Sequence, residues 1–261
     1  MVSALLVASA CLGWLTSGKL SAAEPTPTPG QTLELTFPDL PKDLNGNAAA
    51  CHVRIPEIYD PQKPVPFLLW LDGGNGTNDP EAATALVDKT KFVMAAFPYP
   101  STTPDPVHAL VADRMGEIWA YHKPMLAEVL RRVPNLDPKI RVVAGVSNGA
   151  HCIGTYLSQG ISEFTDCFHI YVLAEGGSRY PTARIPLKGK QIYLAWGSEP
   201  GSSASFMKGT YLCALKAQMQ LTLHEMKGVA HGFPDNERAA VKQWLEVVAI
   251  PKAWQTPEGV R

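Results

Sequence analysis

Apolar and polar positions along the chain fall into two kinds of block. Leu33-Glu34-Leu35-Thr36-Phe37 alternates with a period of two, the pattern of a half-buried strand. Residues 50–55 predict a second strand, ended by Pro56 and the Asp60-Pro61 turn. Residues 65–71 are a continuous apolar run, suited to a central strand buried on both faces. Residues 92–97 predict a fourth strand, and others are expected from Ile140 onward and over 168–174, 191–195 and 221–226. Helical patterns lie between them, over 80–88, 115–133, 147–157, 205–219 and 239–250. In the second of these, Ile118, Met125, Leu126, Val129 and Leu130 recur at helical spacing before Pro134 ends the run. The proline-rich stretch 98–106 reads as a loop. Strands alternating with helices predict an α/β fold whose sheet is mostly parallel after an antiparallel start.

Composition bounds this picture without changing it. The chain has 261 residues, 46% hydrophobic and 18% charged, with a formal net charge of -1. That is material for one large domain. No Lys/Arg run is present to attract nucleic acid, which argues against a polyanionic partner. At the amino end, Leu5, Leu6, Val7, Leu12, Trp14 and Leu15 form an apolar stretch, followed by Ser21-Ala22-Ala23 before Glu24. An export signal over residues 1–23 is expected, although no Lys or Arg precedes the apolar region. Ser, Gly and Thr interrupt that stretch and leave it a poor membrane span, so the mature chain is expected to have none. Residues 24–31, with Pro-Thr-Pro-Thr-Pro, read as a linker, 32–250 as the folded domain and 251–261 as a tail.

Four cysteines follow the expected cleavage point: Cys51, Cys152, Cys167 and Cys213. In an exported protein they could pair, with three full connectivities open; otherwise they are small buried apolar groups. No CxxC or His-rich spacing points to a metal, and no cofactor is expected.

Parallel α/β sheets carry their sites at the carboxyl ends of the strands, and four segments there hold reactive groups. Gly145-Val146-Ser147-Asn148-Gly149 has the Gly-x-Ser-x-Gly spacing of a serine on a sharp strand-to-helix turn. No lysine follows as in a phosphate-cradling loop, and a dinucleotide fingerprint is absent. Asp72-Gly73-Gly74-Asn75 follows the third strand, where Gly74 or Asn75 could donate a backbone N–H to an oxyanion, with the Asn148 N–H as second donor. His231 in Gly228-Val229-Ala230-His231-Gly232-Phe233 follows the last strand and is the best placed of the seven histidines to act as a base. Glu199, after the penultimate strand, is the leading candidate for the acid that orients His231, and Glu175, after the strand before it, is the rival.

These segments resemble the α/β-hydrolase family, and in particular small secreted esterases of the polyhydroxybutyrate-depolymerase and feruloyl-esterase type. Gly145–Gly149, Leu69-Trp70-Leu71-Asp72-Gly73-Gly74 and His231-Gly232-Phe233 carry the resemblance, which covers about residues 33–250. It implies an α/β-hydrolase fold with a mostly parallel sheet of about eight strands flanked by helices. It further implies Ser147 as nucleophile, His231 as base, and Gly74 with Asn148 as oxyanion donors. Two departures stand out: Asp72-Gly73 where the family has His-Gly, and Pro200 where it has the acid. Residues 176–190 are too few for a substantial lid. The expected activity is hydrolysis of a small-molecule or polysaccharide-linked ester through an acyl-enzyme. A peptidase of the same fold and a non-catalytic binding protein that has lost its acid are the alternatives. A thiol enzyme built on Cys152 is poorly supported, because that residue lies inside the predicted helix after the serine.

Overall fold

A computed structural model describes residues 26–255 of the chain. The expected export signal, Glu24 and Pro25 at the start of the linker, and the last six residues lie outside the described part.

Eight strands form one sheet: β1 (Thr32–Thr36), β2 (Ala50–Arg54), β3 (Val65–Leu71), β4 (Val93–Ala96), β5 (Leu136–Val146), β6 (Ile170–Ala174), β7 (Gln191–Gly197) and β8 (Gln220–Met226). Their spatial order is β1-β2-β4-β3-β5-β6-β7-β8. The pairs β1–β2 and β2–β4 are antiparallel, and every later pair is parallel. This is the α/β architecture that the alternation of the sequence predicts.

Helices cover both faces. On one lie α1 (Pro106–Val111), α2 (Met115–Arg132), α3 (Asn148–Gln159), α4 (Ser162–Thr165) and α5 (Ala204–Lys216). On the other lie a short 3-10 turn (Pro80–Ala85), α6 (Asp235–Trp244) and α7 (Ile250–Gln255). The period-two geometry of a strand divides β3 between two cores. Phe67, Leu69 and Leu71 pack under α2 and α3, while Leu68 and Trp70 face the 3-10 turn and α6. Each of these five side chains is buried, which explains the unbroken apolar run.

The structure differs from the sequence reading in several elements: the expected 80–88 helix is only the 3-10 turn Pro80–Ala85, and α6 starts at Asp235 rather than 239. Strand β5 begins at Leu136, ahead of the expected Ile140, and its register against β3 shifts between Val65 and Phe67 around the Asp137-Pro138 irregularity. Helix α1 occupies a stretch in which the sequence pattern predicts none, started by Pro106 with the Asp105 side chain accepting from His108 N. Helix α4 is a single turn, too short to leave a periodic signal. The final helix does not stop at Ile250 but continues to Gln255 past a π-helical turn at Leu245–Ala249. Pro251 has no N–H to bond back to Val247, and the widened turn before it absorbs that missing bond. Residues 176–190 join β6 to β7 without a helix, so no lid stands between these strands. Among the described residues no helix is long and apolar enough to cross a membrane. Cys51, Cys152, Cys167 and Cys213 are all buried and unbridged, so the reading as small apolar groups applies to them.

Two glycines hold the centre of the fold together by what they lack. A Cβ on Gly149 would overlap the Leu71 carbonyl, and one on Gly145 would stand 2.7 Å from the Gly149 carbonyl carbon. Helix α3 therefore begins directly on the end of β3. Behind it, His122 of α2 is fully buried among Phe97, Tyr99 and Tyr156. Its Nε2 donates to the Pro98 carbonyl (2.9 Å), and its Nδ1 accepts from the Tyr156 hydroxyl (3.2 Å). Burial drives its pKa down to about 4, so the ring is neutral near pH 7.

Substituting Gly149→Ala is expected to cost more than about 3 kcal/mol or to prevent folding, because backbone rather than a flexible side chain must yield. Gly116→Ala, where a Cβ meets nothing within 4 Å on α2, should be neutral or stabilise by up to about 1 kcal/mol. Urea unfolding of both variants checks the contrast; a Gly149→Ala protein within about 1 kcal/mol of wild type contradicts it. The neutral His122 sets an acid limit as well. Its folded pKa lies below the unfolded value, so its stabilisation is complete above about pH 6.5 and is lost as pH falls toward about 4. His122→Gln should therefore reduce the loss of unfolding free energy between about pH 7 and about pH 4.5 by about 2 to 3 kcal/mol. His169, also held down to about 4 by burial and by the charges of Lys190 and Arg141, keeps its own share of that loss in both proteins.

Candidate active site

The parallel strands bring three chain segments to one level. In the β5–β6 register Val146 lies opposite Ala174, and the Ser147 N–H donates to the Ala174 carbonyl (2.9 Å). Ser147 therefore leaves β5 beside the point where Glu175 leaves β6. Its backbone is strained, with φ 51° and ψ -115°, a conformation that turns the chain from strand into α3 within one residue. Holding a non-glycine residue there costs on the order of 1–3 kcal/mol, offset by the packing of α3 on the sheet. Gly73 of the β3 turn abuts this serine: a Cβ on it would lie 3.3 Å from the Ser147 Cβ.

His231 arrives from the loop after β8. Its Nε2 stands 3.0 Å from Ser147 Oγ, and its Nδ1 stands 3.1 Å from Glu175 Oε2. The Glu175 oxygens are acceptors throughout: Oε1 accepts from Gly197 N and Oε2 from Ser203 N (2.8 Å). Nδ1 therefore carries the proton toward Glu175, which leaves Nε2 to accept from the serine hydroxyl. Glu175 is completely buried, whereas the His231 side chain is 45% exposed. The carboxylate is thus fixed inside the protein while the imidazole edge and the serine remain open to a reactant. A chain of this kind can take a proton from the hydroxyl, stabilise the imidazolium that forms, and return the proton later.

Glu199, the leading candidate from sequence for the acid, does not reach His231. It is exposed on the turn after β7, where its Oε1 accepts from Ser198 Oγ (3.2 Å). The reason lies in the path of the backbone. Ser198 N donates to Met226 O, and Glu199 N donates to Val229 O, which pairs this turn with the loop leaving β8 and directs the Glu199 side chain outward. Glu199 supports the histidine loop through its main chain only. Glu175, the rival, occupies the position instead, at φ 51°, with Gly176 after it so close to the serine that a Cβ would strike the Ser147 carbonyl. Its signal in the sequence is an acid and two glycines immediately after the all-apolar strand that adjoins the serine's strand.

Gly74 lies in the turn beside Ser147, at φ 54°, and Gly76 N donates to Gly73 O (3.0 Å) to close that turn. Among the described residues the Gly74 and Asn148 N–H groups make no internal hydrogen bond, and Asn148 opens α3, whose first N–H groups lack intrahelical partners. Both are free to bind negative charge developing near the serine. The Asp72 side chain accepts from Gly73 N (2.8 Å). His151, one turn into α3, is buried and donates from Nδ1 to Gly177 O (2.7 Å), and burial holds its pKa below the usual imidazole range. Cys152 is completely buried and its thiol is pushed well up by desolvation, which removes it as a nucleophile.

No family model and no curated protein matches the sequence. Solved structures do share its shape. A Bacillus cereus carboxylesterase superposes with a TM-score of 0.55 at 20% identity, covering 74% of this chain and 90% of its own. Esterase 2 of Thermogutta terrifontis, solved after phosphorylation by paraoxon, gives 0.54 at 15% identity, over 87% of this chain and 98% of its own. The AtxE2 isopeptidase gives 0.59 at 12% identity over 88% of this chain, but over only 41% of its own. At these identities the likeness concerns the fold. The strand order, the directions of the strand pairs and these superpositions agree: the chain has the α/β-hydrolase fold.

Proposed function

We propose that the protein is a serine hydrolase that cleaves carboxylic esters through an acyl-enzyme on Ser147, with His231 as base and Glu175 as the orienting acid. The observation that carries this reading is the hydrogen-bonded chain from Ser147 Oγ to His231 Nε2 and from His231 Nδ1 to Glu175. A binding protein that kept the fold and lost its acid would lack the second bond. Ser147 Oγ attacks the ester carbonyl carbon while its proton passes to His231 Nε2. The carbonyl π electrons move to the oxygen, which the Gly74 and Asn148 N–H groups receive. As the tetrahedral intermediate collapses, His231 returns the proton to the departing alkoxide. Water then repeats the sequence on the acyl-serine, releasing the acid and restoring the hydroxyl. Glu175 accepts from Nδ1 throughout and stabilises the imidazolium in both halves.

The absence of a lid between β6 and β7 supports soluble or polymer-linked esters over a substrate that must open the site at an interface. The resemblance to small esterases of the polyhydroxybutyrate-depolymerase and feruloyl-esterase type supports the same class. With an export signal over residues 1–23, the enzyme would act outside the cytoplasm. Acyl esters of graded length, with acetylated and feruloylated sugars, would define the preferred acyl group.

A fluorophosphonate probe should label the intact protein at Ser147 and leave Ser147→Ala unlabelled; a folded wild type that resists labelling contradicts the proposal. Glu175→Gln should lower kcat by about 10²- to 10⁴-fold, since it removes the charge opposite the imidazolium and permits the wrong tautomer. Glu199→Gln should remain within about threefold of wild type, as expected for a carboxylate in solvent. Ester hydrolysis by the two variants side by side decides which glutamate serves His231.

A further inference from the structure

Asn148 does more than present a backbone N–H. Its side chain is buried, only 6% of the residue being exposed, and both ends of its amide are engaged. Nδ2 donates to the Gly74 carbonyl (2.8 Å), and Oδ1 accepts from the Val107 N–H (3.1 Å). Only one orientation of the amide satisfies both, because a carbonyl must be met by NH₂ and an N–H by oxygen. Val107 lies in the first turn of α1, so Oδ1 also satisfies a donor that the helix itself cannot. One side chain therefore joins the serine turn, the glycine turn after β3 and the start of α1.

The glycine turn needs such support. A Cβ on Gly74 would meet nothing within 4 Å, so no side chain packs over it from outside. Gly73 and Gly74 also have the widest backbone freedom of any residue pair to lose. Exposed Asn45 and Asn75 meet at 3.1 Å on the outer side, a contact that water can replace. The buried side holds two firmer contacts. Tyr99 donates its hydroxyl to the Asp72 carbonyl (2.5 Å) and lays its ring where a Gly76 Cβ would stand, 2.9 Å away. Asn148 grips the carbonyl between those two points. With Gly73 O held by Gly76 N, these bonds fix the Gly73–Gly74 and Gly74–Asn75 peptide planes, and so the direction of the Gly74 N–H.

We infer that the Asn148 side-chain amide is a positioning residue for the oxyanion-binding turn, holding the Gly74 N–H in line with Ser147. The inference rests on the serine-hydrolase reading above and adds a role for a side chain. The benefit is confined to the transition state, because the N–H must meet an oxygen that becomes anionic only there.

Two variants that keep the backbone N–H test it. Asn148→Asp retains an acceptor for Val107 N–H but turns an oxygen toward the Gly74 carbonyl, whereas Asn148→Ala removes both bonds without adding charge. Active sites are first titrated with a fluorophosphonate, and p-nitrophenyl acetate turnover is expressed per titrated site. Both variants should lose kcat by on the order of 10- to 10²-fold with KM within about threefold. Their Ki for a trifluoromethyl ketone, which forms a hemiketal oxyanion on the serine, should rise by the factor that kcat/KM falls. If Asn148 serves only stability, the titre falls while kcat per site and Ki stay at wild-type values, and the inference is overturned. The neutral Ala variant excludes an effect of introduced charge: a loss seen in Asp alone also overturns it. A wild type that does not label at Ser147 overturns the hydrolase reading and this inference together, whereas a labelled wild type with unaltered variants overturns the inference alone.

Discussion

Helix α3 begins in contact with the carbonyl of Leu71, at a separation that only a glycine permits. Everything at the carboxyl edge of the sheet is arranged around that approach. It places the end of β3 beside the first turn of α3, so the Gly73-Gly74 turn and Ser147 become neighbours. It also forces the chain from strand to helix within one residue, which produces the strained serine. Relaxing the contact by even one methyl group would lift α3 from the sheet and separate the serine from the turn.

A second constraint is that the polar groups at this edge are satisfied by backbone. Glu175 is fully buried yet meets the Gly197 and Ser203 N–H groups as well as His231. Fixed dipoles of this kind replace the water that a buried carboxylate would otherwise require. They also remove the freedom of the side chain to follow the imidazole, so the histidine must come to it. Gly197 allows this: a Cβ there would strike the Val229 carbonyl, and its absence lets the His231 loop cross the end of β7. The carboxylate follows β6, the histidine follows β8, and the end of the intervening strand carries a glycine.

Much of this architecture is legible in the amino-acid sequence. The eight strands, α2, α3 and α5 follow from apolar runs and helical spacing, because burial on one or two faces imposes those patterns directly. The glycines around Ser147 and the His-Gly after the last strand are legible as local turns with local steric demands. Helix α1 is hidden by the prolines of 98–106, although Asp105-Pro106 is itself a helix start. The choice between Glu175 and Glu199 is only partly legible: each acid follows a strand and stands near a glycine, and the two glycines after Glu175 mark a close approach without saying which acid reaches the histidine.

Local chemistry thus set the strand and helix content, the serine turn and the histidine loop, since each depends on residues within a few positions of one another. Tertiary structure decided which acid faces His231 and which side chain bonds to the glycine turn after β3. The bond from Asn148 to Gly74 spans 74 residues, and that from His231 to Glu175 spans 56. Such pairings follow from strand register and from loops paired by backbone hydrogen bonds, and no periodicity within a single segment encodes them.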